Sequence, residues 1–115
     1  MAEIKDGVAT FYAATRADWR AWLVAHCEAE TSVWLIIYRK KSAQPSVDYD
    51  TAVEEALCFG WIDSKPNKRD AESYFLFFAR RKPKSNWSRA NRARIAKMEA
   101  AGQMTPAGTA MVELA

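Results

Sequence analysis

Residues Ala56–Asp63 read Ala-Leu-Cys-Phe-Gly-Trp-Ile-Asp, a stretch that ends a helix, turns on one glycine and enters a strand. Upstream, Val53, Ala56, Leu57 and Gly60 recur at helical spacing, which leaves Glu54 and Glu55 to face water. Downstream, Trp61-Ile62-Asp63-Ser64-Lys65 begins the alternation of a half-buried strand. Gly60 is therefore expected in the left-handed conformation that a residue without a β-carbon adopts at no steric cost. Asp63 falls just past the turn, where strand-end and loop residues often do chemistry. The simpler reading, and the preferred one, is an exposed strand residue paired with a nearby lysine.

Working outward, residues 1–10 read as a loose lead-in, with Val8 and Phe11 able to add to a core. Thr15 is placed to cap a helix over about 16–28 that carries Trp19, Trp22, Leu23 and His26 on one stripe. Val33–Tyr38 is apolar on both faces, as in a central strand covered on both sides. Asp48 caps the next helix, which stops at Gly60. Trp61–Asn67 and Tyr74–Arg80 form a hairpin, in which Tyr74, Leu76 and Phe78 face one side and Phe75, Phe77 and Ala79 the other. Pro83 stops the second strand, and Ser88 caps a helix over about 89–101 that Gly102 ends. Thr105 and Pro106 open a last short helix. The expected architecture is α+β: a small, mostly antiparallel sheet of about three strands packed with helices in the order α-β-α-β-β-α-α. Residues 1–115 read as one domain.

Composition narrows the function classes. No apolar stretch reaches the length of a membrane span, no leader-like apolar run follows a basic flank, and the chain reads as cytoplasmic. Cys27 and Cys58 lack a CxxC spacing and suit buried thiols in a reducing compartment. His26 is the only histidine, so histidine-based metal clusters and Ser-His-Asp systems would all depend on it, and a partly buried, satisfied imidazole is preferred. No glycine-rich phosphate loop is present and no cofactor is implied. Glu54 and Glu55 are adjacent, so on a helix they diverge and cannot make a close acid/base pair by themselves.

Charge is regional. Residues 1–64 carry six Lys/Arg against ten Asp/Glu, whereas residues 65–97 carry eleven against two. Such a block attracts phosphates, acidic lipid or an acidic protein surface, or it is simply a solvated face. Within it, Arg80-Arg81-Lys82-Pro83-Lys84-Ser85-Asn86-Trp87-Ser88-Arg89-Ala90-Asn91-Arg92 combines cations, short hydrogen-bonding groups and one indole at the opening of a helix, whose free N–H groups favour an anion. Trp87 and Ser88 also suit purely structural roles, as a staple and a cap.

Three ordered motifs resemble the YdeI/OmpD-associated family, often labelled bacteriocin-protection proteins. They are Ala56–Asp63, Arg80–Asn91 and Gly102-Gln103-Met104-Thr105-Pro106-Ala107-Gly108. The similarity runs from about Phe11 onward. It implies association with tolerance of bacteriocins or other membrane-active antimicrobials and with an outer-membrane porin, and it supplies no settled reaction or ligand. Members commonly continue past the equivalent of Ala115 with a further helical, basic segment. The residues and the resemblance together suggest a binding module for an anionic small molecule or an acidic protein partner. Arg80, Arg81, Lys84 and Arg92 would hold the anion, Ser85 and Asn91 would orient it, Trp61 or Trp87 would form an apolar wall, and Asp63 would fix Arg80. Two alternatives stand beside it: nucleic-acid binding through the basic 80–97 segment, and an enzyme with Asp63 or Glu55 as base and Arg80 stabilising developing charge.

Overall fold

The computed structural model describes residues 4–82 and 88–114. The chain runs β1 (Ile4–Lys5), β2 (Val8–Tyr12), α1 (Arg16–His26), β3 (Ser32–Tyr38), α2 (Tyr49–Cys58), β4 (Trp61–Lys68), β5 (Ser73–Arg80), α3 (Arg89–Ala100), α4 (Pro106–Leu114). The sheet has five strands in the order β1-β2-β3-β5-β4. β1 and β2 pair antiparallel, β2 and β3 parallel, and β5 pairs antiparallel with both β3 and β4.

This corrects the expected three-stranded, mostly antiparallel sheet and the order α-β-α-β-β-α-α: the class is α+β, but the sheet is mixed and two strands precede the first helix. The supposed lead-in is a hairpin turning on Asp6-Gly7, both at positive φ (51° and 78°), a dipeptide whose backbone suits a tight turn. β1 is only two residues long and its hydrogen bonds are made entirely with β2, so little in its own composition marks it as a strand. β2 acquires its partner through α1, which carries the chain across to a parallel β3.

Elsewhere local signals and structure agree. Thr15, Asp48 and Ser88 accept hydrogen bonds from the backbone N–H groups of Asp18, Thr51 and Asn91 at the helix starts. Gly60 has φ +78° between α2 and β4. The two cysteines are free thiols, Cys58 buried as expected but Cys27 only partly so, and desolvation raises the pKa of both. Among the described residues no helix is long and apolar enough to cross a membrane.

All four helices contribute to a core on one sheet face. Trp19 and Leu23 of α1, Val53 and Leu57 of α2, and Ile95 and Met98 of α3 pack with Val33, Leu35, Leu76 and Phe78, and Val112 of α4 lies against them. The opposite face carries a separate cluster of Trp34, Ile36 and Phe75, with no helical residue in it. α2 contacts α1, α3, α4 and β4, so from Ala52 onward it has no face left for water. Glu54 and Glu55, expected to be solvated, are accordingly buried, at 6% and 1% exposure. Flanking helices neutralise them: Arg16 bridges both carboxylates (2.7 and 2.8 Å), Arg20 holds Glu55 (2.8 Å) and Lys97 holds Glu54 (2.7 Å). His26, expected to be partly buried, is exposed, with its ring against Trp22.

Candidate functional site

An irregularity in β4 builds a spacious cleft. Asp63 pairs with Phe78 and Pro66 with Leu76, so three steps along β4 match two along β5. The extra residue reverses the alternation. Trp61 and Asp63 precede it, and Pro66 and Lys68 follow it, yet all four share the face of Phe78, Leu76 and Tyr74. Pro66 belongs at such a bulge on an edge strand, where its missing N–H costs no ladder bond. The result is a cleft of about 760 Å³ lined by Arg39, Tyr49, Asp63, Ser64, Pro66, Asn67, Lys68, Tyr74 and Leu76. A smaller hollow of about 360 Å³ adjoins it, sharing Arg39, Tyr49 and Tyr74 and adding Lys40, Asp48 and Asp50.

Secondary structure aims each group. Tyr49 is the first residue of α2, directly after its cap, and its hydroxyl donates to Asp63 Oδ2 at 2.9 Å. Arg94 of α3 lies 5.7 Å from the centre of the Tyr49 ring and pairs with Asp50 at 2.6 Å. Arg39, just beyond β3, stacks on Tyr74 of β5 at 5.1 Å. Burial raises the pKa of Tyr49, and the hydrogen bond and charge of Asp63 add to it. Burial likewise raises Tyr74, against the opposing charge of Arg39. Both phenols remain protonated at neutral pH, so each has an O–H to donate. Among the described residues lining the larger cleft Asp63 is the only carboxylate, and one of its oxygens is already occupied by Tyr49.

The residues singled out from the sequence do not gather in one place. Asp63 lines the cleft, and Asn91 connects to it indirectly: its Oδ1 accepts from Arg94, which stacks on Tyr49. Arg80 shares a sheet face with Asp63 but turns away from it. Its Nε donates to the carbonyl of Cys27 at 3.1 Å and its Nη2 to that of Glu28, so it closes the C-terminus of α1. Trp61 is 1% exposed and packs in the core, its indole edge-on to Trp22 and its Nε1 donating to Cys27 O. Arg81 is buried at 6% exposure, its backbone N–H bonded to Gly60 O, and desolvation lowers its pKa. Arg92 is exposed on α3. Lys84, Ser85 and Trp87 lie outside the described residues. A separate, smaller cavity of about 310 Å³, lined largely by apolar groups with Arg80 at its edge, sits at the opposite end of β4 beside Cys27, Trp61 and Met111.

Arg39, Tyr49, Lys68 and Tyr74 were not singled out from the sequence. A proline inside a strand-like run, Ser64-Lys65-Pro66-Asn67, was the one local signal of a re-aimed face. Among the described residues no group of three or more His, Cys, Asp or Glu side chains is arranged to hold a metal ion.

Residues 11–111 match the family model of a domain of unknown function, DUF8412. The chain belongs to that family. The DUF8412 match begins within β2 and ends within α4, so every residue of the cleft lies inside it. No curated protein and no solved structure matches the chain.

Proposed function

We propose that this DUF8412 domain is a binding module for a small anionic ligand, held in the cleft between β4, β5 and the start of α2. The observation that supports this most is the lining itself: two cations, Arg39 and Lys68, and two protonated phenols, Tyr49 and Tyr74, converge on one hollow with a single, partly occupied carboxylate. Its volume lies in the usual range for small-molecule sites, roughly 300–1,000 Å³. A concave site of this kind suits a small molecule better than an acidic protein surface. In this reading Arg39 supplies a planar, bidentate donor to a carboxylate or phosphate, and Lys68 adds a mobile charge. The phenols fix orientation, and Asp63 holds Tyr49 in place.

In this reading the anion sits in the cleft and not at the Arg80–Arg92 segment, where Arg80 closes a helix end and Arg81 is buried. Resemblance to the YdeI/OmpD-associated family supports placing this binding in tolerance of bacteriocins or related stress. Calorimetric titration with inorganic phosphate and with citrate, at low and at moderate salt, tests the site. Arg39→Gln and Lys68→Gln are each expected to weaken binding at least about tenfold, the scale of one lost charge-assisted hydrogen bond. Arg92→Gln is expected to leave it unchanged. Wild-type affinity in both cleft variants, or no binding of either anion at low salt, would overturn the reading.

A further inference from the structure

The sheet face remote from the helices carries a row of aromatic rings roofed by cations. Trp34 and Phe77 are cross-strand partners on β3 and β5 with ring centres 4.8 Å apart, and Phe75 lies 6.0 Å from Trp34. Lys5 reaches over them from β1, with its Nζ 5.0 Å from the Trp34 ring and 5.2 Å from Phe75. Lys65 reaches over them from the opposite edge strand, 5.8 Å from Trp34 and 5.9 Å from Phe77. The β4 bulge is what turns Lys65 to this side. Arg69 covers the remaining edge of Phe75 at 5.8 Å.

Two features of this roof are costly unless a ligand replaces it. Two ammonium groups share one indole, so each raises the electrostatic cost of the other. Asp6 lies 3.8 Å from Lys5 and Asp70 lies 3.1 Å from Arg69; no acid is paired with Lys65 among the ion pairs of the described residues. Beneath them Trp34 is only 2% exposed, and its Nε1–H has no hydrogen-bond partner among the described residues. A buried indole donor ordinarily finds one.

We infer that this face binds single-stranded nucleic acid. Phosphates draw Lys5 and Lys65 off the rings, which their long flexible stems permit. The uncovered Trp34, Phe75 and Phe77 then present a platform on which unpaired bases stack, and the unpartnered Nε1–H of Trp34 donates to a base or sugar oxygen. A duplex does not fit this chemistry, because its base faces are already stacked inside. The site is separate from the anion cleft, which opens on the helical side of the same sheet.

Fluorescence anisotropy with a labelled oligothymidylate of roughly 8–12 nucleotides, within the span of a small single-strand site, tests this on the intact chain. An abasic oligomer of equal length offers the same phosphates without rings and is expected to bind at least tenfold more weakly. Wild-type protein suffices for that comparison, so no variant needs to fold. The combined Lys5→Gln and Lys65→Gln variant is expected to flatten the plot of log affinity against log salt by about 1.4, since each phosphate contact on a single strand contributes about 0.7. Arg92→Gln, on the exposed side of α3, is expected to leave the affinity for the oligomer unchanged. Equal affinity for the thymidylate and the abasic oligomer would overturn the proposal, as would an unchanged salt slope in the lysine variant. Binding to anionic lipid vesicles with none to the oligomer at low salt would overturn it as well.

Discussion

Replacing Gly60 perturbs the junction of α2, β4 and α4 in two ways that add. Its φ of +78° lies in the left-handed region, which costs an ordinary L-residue roughly 1–2 kcal/mol. A β-carbon there would also sit 2.9 Å from Met111 Cγ and 3.1 Å from the carbonyl oxygen of Ala107. Met111 has rotatable bonds and gives way, but the Ala107 oxygen belongs to the backbone of α4, so the helix itself must shift. Partial loss of that packing brings the total for Gly60→Ala to about 2–3 kcal/mol, and the second branch of valine adds about 1 kcal/mol or more. At about 4 °C per kcal/mol for a domain of this size, Gly60→Ala should melt roughly 8–12 °C below the wild type, and Gly60→Val lower still. Thermal melts followed by circular dichroism, with urea titrations to confirm an unchanged m-value, measure this directly. A Gly60→Val midpoint within about 2 °C of wild type would refute both the left-handed turn and the close seat of α4 against it.

Acid should weaken the chain through Glu54, because burial pushes its pKa up but the hydrogen bonds and charges of Lys97 and Arg16 outweigh it and hold the net value below the usual carboxylate range. The sign follows from a folded pKa lower than the unfolded one: the stabilisation is complete above about pH 4.3 and disappears as pH falls through the folded value. Glu54→Gln should therefore be less stable than wild type by roughly 1–3 kcal/mol at neutral pH, with the gap in melting temperature closing below about pH 4. A gap that stays constant from neutral pH to about pH 3 would contradict this pairing. In a double-mutant cycle on stability, Tyr49→Phe and Asp63→Asn should couple by about 0.5–1.5 kcal/mol through the 2.9 Å hydrogen bond. Arg80→Ala and Asp63→Ala should be additive, because the Arg80 guanidinium caps α1; coupling between that second pair would show that the two side chains meet in solution.

Most individual elements were legible because their signals are local. A capping side chain bonds a backbone N–H three residues away, and a left-handed glycine is demanded by the chain on either side of it. So the starts of α1, α2 and α3, the turn at Gly60 and the alternation of Tyr74–Ala79 could all be read directly. β1 and β2 could not be read in the same way. Residues 1–10 read as a loose lead-in, because a strand of two residues is stable only through what pairs with it.

Burial was equally a tertiary matter. Glu54 and Glu55 look solvated on an isolated helix, and only the packing of α1, α3 and α4 around α2 removes them from water and supplies Arg16, Arg20 and Lys97 as partners. The candidate sites follow the same division. The sequence by itself determined that a basic, aromatic-rich chain would carry Asp63 at a strand start beside many cations. Which cations stand near it was decided by the β4 bulge, which brings Lys68 to the face of Asp63 and sends Lys65 to the other, and by the α1 carbonyls that take Arg80. Side-chain direction on a strand depends on register, and register is set by the partner strand rather than by the residues of one segment.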